Sequence, residues 1–170
     1  MSPGAALRRA ELVGRFAAAR GRIEAAARAA ERAGDPAPGE WSAQQVVLHL
    51  VAVETEVFQA RLDDLEGEDH PRWSWVEPGT ADAPDGATLE DALVRFGACR
   101  AITLRRVAGL DEAGWSRTGT HETYGLLDVG GLLRLAYDHD FEHLATLERM
   151  ARTDSGGDDV RRLSGVSVDR

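Results

Sequence analysis

Four stretches of this chain repeat apolar residues at helical spacing, and segments rich in glycine, proline or aspartate separate them. Apolar residues that recur at i, i+3, i+4 and i+7 lie on one face of an α-helix. This pattern predicts helices over residues 5–33, 42–65, 88–108 and 126–152. Amphipathic helices of this length bury their apolar faces against one another, so the sequence predicts an all-α four-helix bundle with long inter-helix loops.

Two of the predicted helices begin with a capping signal. Ser42 is followed three residues later by Gln45, and Thr88 is followed in the same way by Asp91. In such a capping box, each side chain satisfies a backbone N–H group that the first helical turn leaves free. Residues 110–124, which lie between the last two helices, are predicted to form a loop.

Residues 1–152 are predicted to form a single domain, and the polar residues 153–170 a disordered C-terminal tail. The N-terminus does not resemble a signal peptide, and no apolar run approaches the roughly 18 residues of a membrane span. We therefore expect a cytoplasmic protein with no membrane partner.

The charged residues exclude several classes of function. Twenty basic and 29 acidic side chains give a net charge of −9, which disfavours nucleic acid as a partner. Every basic residue is an arginine, so a Schiff-base lysine enzyme and a P-loop NTPase are excluded. The single cysteine, Cys99, permits no intrachain disulfide and no cysteine metal cluster, and we expect it to be a small core or helix-surface residue.

Three of the five histidines fall on apolar helix faces. His139 and His143 are separated by one helical turn, and His49 shares a face with Val46 and Val53 on the second helix. One metal ion would satisfy all three imidazoles, and three nitrogen ligands with open positions are typical of a catalytic site. Hydrogen-bonded core histidines are the alternative, and the spacing alone favours neither.

Two further residues are candidates for catalysis. Arg100 interrupts the apolar stripe of the third helix, so it either closes a buried ion pair or binds a substrate carboxylate. Glu54 follows His49 on the second helix and either acts as a general base or forms an ordinary salt bridge. Asp140 and Glu142 flank the histidines of the fourth helix but are predicted to point elsewhere, toward the surface or in support of the ligands.

The other histidines and most of the tryptophans fall in predicted loops. His70 and His121 are expected to be exposed. Trp73, Trp75 and Trp115 are candidates for lining a pocket or an interface.

Two sequence motifs resemble those of the DinB/YfiT-like superfamily. They are W-S-x-x-x-V-V-x-H-L-x-x-x-E, from Trp41 to Glu54, and H-D-x-x-H-L, from His139 to Leu144. The resemblance covers about residues 7–152. It implies a four-helix bundle in which His49, His139 and His143 bind a divalent metal ion.

The superfamily includes metal-dependent hydrolases and mycothiol- or bacillithiol-dependent transferases and isomerases. The resemblance therefore implies a homodimeric enzyme in which zinc, nickel or iron activates water or a low-molecular-weight thiol, such as mycothiol, toward a small-molecule substrate. Two alternatives stay open. The chain is either a non-catalytic metal-binding stress or interaction module, or a dimerising scaffold with core histidines.

Overall fold

The computed structural model describes residues 3–152, which form a helical bundle with a small three-stranded sheet. The predicted tail, residues 153–170, lies outside this range. The elements in chain order are α1 (Pro3–Arg32), α2 (Ala43–Ala52), a π-helical segment (Val53–Gln59), α3 (Ala60–Gly67), β1 (Arg72–Trp73), α4 (Leu89–Gly109), α5 (Glu112–Trp115), β2 (Thr118–His121), β3 (Gly125–Asp128) and α6 (Val129–Arg152).

Both predicted capping boxes are present. The Gln45 backbone N–H donates to the Ser42 hydroxyl at 3.2 Å, and the Ser42 N–H donates to the Gln45 side chain at 2.8 Å. Thr88 and Asp91 exchange the same two bonds at 3.2 and 2.9 Å. The Thr88 backbone N–H and hydroxyl both donate to the Asp91 carboxylate and lower its pKa. The capping residues therefore predicted the starts of these two helices correctly.

The second predicted helix is continuous but not uniform. Its central residues form the π-segment, in which each turn holds one extra residue. Within it, the Thr55 hydroxyl donates to the Val51 carbonyl at 2.9 Å. Such back-bonding from a threonine bends helices, and the apolar repeat of the sequence does not reveal it.

Of the sheet, β2 lies in the predicted loop 110–124, and β3 overlaps the start of the fourth predicted helix. β1 pairs with β2 in parallel, and β2 pairs with β3 in an antiparallel hairpin. Gly119 is required here because a Cβ atom at this position would lie 2.5 Å from the Trp73 ring. The fourth predicted helix accordingly starts at Val129 and not at 126, because Gly125–Asp128 is paired with β2.

The apolar stripes of the helices meet in the core. Phe16, Ile23 and Phe96 have no exposed surface, and the predicted stripe of α4 is buried along its length. The fold class predicted from the sequence, a helical bundle, is therefore confirmed, with the sheet as a minor addition. Within residues 3–152, no helix combines the length and apolar character that crossing a bilayer requires.

Candidate metal centre

The structure brings His49, His139 and His143 together. His49 projects from α2, and the other two project from successive turns of α6. One ring nitrogen from each of the three lies within 4.8 Å of the others. Among the residues the structure describes, this is the group of His, Cys, Asp and Glu side chains that could hold a metal ion.

The His49 ring is oriented by a backbone carbonyl. Its Nδ1–H donates to the carbonyl oxygen of Gly79 at 2.9 Å, which places the lone pair on Nε2. That Nε2 atom lies 3.4 Å from Nε2 of His139. A hydrogen bond from the remote nitrogen to a carbonyl is the usual support of a metal-binding imidazole. Gly79 lies in the loop between β1 and α4, and the sequence carried no signal for this contact.

The other two imidazoles have buried nitrogens without partners. Nδ1 of His139 and Nδ1 of His143 are inaccessible to solvent and make no hydrogen bond. Burial, followed by the charges of the neighbouring histidines, lowers the pKa of both to about 4. Both rings are therefore neutral at pH 7, and neutral imidazole is the form that binds metals.

This donor set fits a divalent ion. Two nitrogens that each lie ~2.1 Å from a tetrahedral ion are ~3.4 Å apart, which matches the spacing of His49 and His139. One ring nitrogen of His143 also lies within 4.8 Å of a nitrogen of each of the other two rings, so one cation can contact all three histidines. The unpartnered Nδ1 atoms show that no hydrogen bond at this nitrogen orients His139 or His143.

The three histidines line a cavity of about 540 Å³. Its wall includes Phe58 from the π-segment, together with Trp75 and Tyr124 from the loops around the sheet. The Trp41 ring lies 5.0 Å from the His49 ring and also borders this cavity. A site with this surrounding has room for a ligand of small-molecule size beside the histidines.

Arg100 is buried and fully paired. Its Nη2 donates to Asp140 at 2.8 Å and to Glu54 at 3.0 Å, and its Nη1 donates to the Phe16 carbonyl at 3.0 Å. The exposed fractions of the three charged side chains are 1%, 5% and 2%. These contacts support the ion-pair alternative for Arg100 and the salt-bridge alternative for Glu54.

The placement of Asp140 differs from the prediction. It was expected to point toward the surface or to support the ligands, and it lies instead in the core on Arg100. The buried stripe of α6 runs through Ala136, Asp140 and Leu144, while His139 and His143 are half-buried at its edge. The apolar face predicted for α6 passed through the histidines and was therefore rotated by about one residue. The prediction counted histidine as apolar and aspartate as polar.

The Arg100 cluster contains one cation and two carboxylates. Burial, aided by the negative charge of Glu54, raises the pKa of Asp140 to about 7 against the opposing effect of Arg100. Neither Glu54 nor Arg100 lines the cavity of the three histidines. Their catalytic roles stay predictions, and no contact in the structure favours them.

The remaining predicted residues divide between the core and the surface. His70 is exposed, as expected, and contacts Thr120 at 2.9 Å. The expectation for His121 was wrong, because it is buried at 1% exposure in β2. Trp73 and Trp115 are core residues, and Trp75 is exposed and lines the cavity.

A residue that the sequence analysis missed is Arg61. It is 7% exposed and lines the cavity of the three histidines. Its only sequence signal was an arginine beside the buried Leu62, which is too common a pattern to single out. Cys99 is half-buried against the core, and burial raises the pKa of its thiol, as suits a packing residue.

A family model and solved structures both match this chain. A sequence model of the DinB superfamily matches residues 31–147. The solved structure of YfiT from Bacillus subtilis, described as a probable metal-dependent hydrolase with an unusual four-helix bundle topology, superposes with a TM-score of 0.67. The two sequences are 15% identical, and the match covers 89% of each chain. A search of curated proteins found no significant match.

Proposed function

The chain belongs to the DinB superfamily, and from that premise we propose that it is a divalent-metal-dependent enzyme acting on a small molecule. His49, His139 and His143 are the proposed ligands. The observation that carries the proposal is that these three imidazoles converge beside a cavity of about 540 Å³. A closed structural site would have no such space, and scaffold histidines would have hydrogen-bond partners.

The bound ion supplies Lewis acidity, which makes a water molecule or a thiol nucleophilic near neutral pH. Three imidazoles suit zinc, nickel or iron. The YfiT structure is described as a probable metal-dependent hydrolase, so hydrolysis is the first reaction class to test. Transfer of a low-molecular-weight thiol, such as mycothiol, is the second.

The side chains of the cavity have separate tasks in this proposal. The Gly79 carbonyl holds the His49 ring in one orientation, and burial keeps His139 neutral. Asp138 and Glu142 line the cavity on the same helix as two of the histidines. They are therefore better placed than Glu54 to accept a proton from a nucleophile.

Metal binding tests the proposal directly. Protein dialysed against a chelator is titrated calorimetrically with Zn²⁺, Ni²⁺ and Fe²⁺, and metal content is measured by mass spectrometry. We expect one ion per chain, with the affinity reduced roughly 100-fold or more in His139→Asn. The matched control is His70→Asn, because His70 is exposed and has a positive φ of 57°, which asparagine tolerates.

The metal-loaded protein is then assayed with chromogenic esters and with thiol acceptors. Turnover that is lost in His139→Asn and kept in His70→Asn supports the enzyme. An ion bound without any turnover favours the metal-binding module instead. Wild-type protein that binds none of the three ions contradicts the proposal. Homodimerisation and a cytoplasmic location stay predictions.

A further inference from the structure

Arg61 is a buried cation in the wall of the triad cavity. It lies in the first turn of α3, between the π-segment and the core residues Leu62 and Leu65. Its exposed fraction is 7%, although an arginine is rarely buried without a partner. The side chain is therefore largely removed from bulk water and forms part of the cavity wall.

No carboxylate within residues 3–152 lies within ion-pair distance of Arg61, although the more distant charge of Asp64 raises its pKa against the effect of burial. None of the ion pairs formed there, defined by nitrogen–oxygen distances up to 4.0 Å, includes it. Its contacts are a long 3.5 Å bond from Nη2 to the Ser74 carbonyl and the Trp73 ring, 5.8 Å from the guanidinium carbon. The neighbouring Asp64 carboxylate accepts the Trp73 indole N–H at 2.9 Å.

The other groups near Arg61 leave its charge in place. Burial lowers the pKa of Arg61, but a guanidinium stays protonated at neutral pH. His121 is neutral because burial and the charge of Arg61 lower its pKa. Glu77, Asp138 and Glu142 line the same cavity but are exposed, so water screens their charges.

Arg61 lacks the carboxylate partners that Arg100 has. Arg100 is buried to a similar degree and donates to two carboxylates and a carbonyl. A buried charge needs a partner. Among the described residues, the five N–H donors of Arg61 make one long hydrogen bond, so most of them lack a protein partner.

We propose that Arg61 binds a carboxylate group of the substrate, while the apolar body of the substrate packs on Trp75, Tyr124 and Phe58. The substrate class is a small carboxylic acid with an apolar or aromatic part. That the reacting end of this acid lies at the histidines rests on the proposed function. The anion site itself does not depend on it.

The experiment compares two probes of nearly equal shape, benzoate and benzamide. Their dissociation constants are measured by NMR titration on the protein as purified and again after dialysis against a chelator. Wild-type protein, Arg61→Gln and Arg72→Gln are compared. Arg72 is a matched control because it is an exposed arginine in β1, and both substitutions remove one positive charge.

We expect wild-type protein and Arg72→Gln to prefer benzoate over benzamide by roughly tenfold or more, as a charged hydrogen bond predicts. Arg61→Gln should lose this preference in both preparations. Wild-type protein without the preference, or an Arg61→Gln protein that keeps it, overturns the proposal.

A second measurement covers the case in which Arg61→Gln does not fold. The indole N–H resonance of Trp75, assigned with Trp75→Phe, should shift with benzoate more than with benzamide in wild-type protein. An unshifted Trp75 resonance overturns the proposal. A benzoate site that depends on Arg61 in a protein that binds no metal would uphold this inference while contradicting the proposed enzyme. Metal binding and turnover without a benzoate preference would overturn this inference and leave the proposed enzyme standing.

Discussion

Two groups of ionisable side chains meet at α6. The hydrogen-bonding groups of one are all paired, and those of the other are not. Asp140 belongs to the Arg100 cluster, where the guanidinium bonds both carboxylates and a backbone carbonyl. The adjacent His139 belongs to the triad, where buried nitrogens have no partner. A network whose donors and acceptors are all paired stabilises the fold but has no capacity for a ligand. A group with unpaired nitrogens beside a cavity can bind one.

The same difference separates the two buried arginines. Arg100 was the candidate for binding a substrate carboxylate, but it forms ion pairs with Glu54 and Asp140. The sequence carries no signal that singles out Arg61, yet within the described residues most of its N–H donors lack a protein partner. Burial alone therefore does not identify a functional cation, and the state of its partners does.

The largest effect is expected from breaking the closed network. Arg100→Met leaves Glu54 and Asp140 buried with no cation, so the free energy of unfolding should fall by about 3–5 kcal/mol. Urea denaturation of metal-free protein measures it. Arg105→Met, an exposed change on the same helix, should stay within about 0.5 kcal/mol of wild type. A loss below about 1 kcal/mol for Arg100→Met would contradict the closed network.

A pH effect should follow from Asp140. Its pKa of about 7 in the folded protein lies above the value of an unfolded aspartate, so the folded state binds the extra proton and stability falls as pH rises from about 4 to 7. Between pH 5 and 8, wild-type protein should lose on the order of 2 kcal/mol relative to Asp140→Asn.

Comparing the two metal-free proteins by urea denaturation at both pH values isolates this effect, because the histidines are common to both. Asparagine carries no proton to lose and keeps a carbonyl oxygen for Arg100. A difference that does not change with pH would show that Asp140 is ionised throughout this range.

The smallest effect is expected from the open group. His143→Asn in metal-free protein breaks no hydrogen bond at Nδ1, so the free energy of unfolding should change by less than about 1 kcal/mol. Thermal and urea denaturation without metal provide the measurement. A loss above about 2 kcal/mol would mean that the triad, like the Arg100 cluster, stabilises the fold through its own contacts.

Much of the helical architecture could be predicted because its signals are local. The capping residues Ser42 and Thr88 mark helix starts, and the apolar stripe of α4 identified Arg100 as buried. The spacing of His139 and His143 also placed them one turn apart on a single helix. Each of these inferences depends on residues within a few turns of one another.

The errors concern pairing between distant segments. β2 and β3 are four residues each and contain glycines, so nothing in the local sequence distinguishes them from loop. His121 is buried because β2 pairs with both β1 and β3. Asp140 was predicted to lie away from the core because aspartate is polar. Its burial depends on the ion pair with Arg100, which lies forty residues away in the chain.

The sequence by itself determined the helices, their caps and the identity of three histidines able to share a metal ion. It also excluded lysine chemistry and made nucleic acid an unfavourable partner. The tertiary structure decided which charged groups are already satisfied. It paired Arg100 with Glu54 and Asp140, brought the Gly79 carbonyl to His49, and placed Arg61 in the wall of the cavity. Periodicity and capping are set by neighbouring residues, whereas a hydrogen-bond partner is set by the packing of segments far apart in the chain.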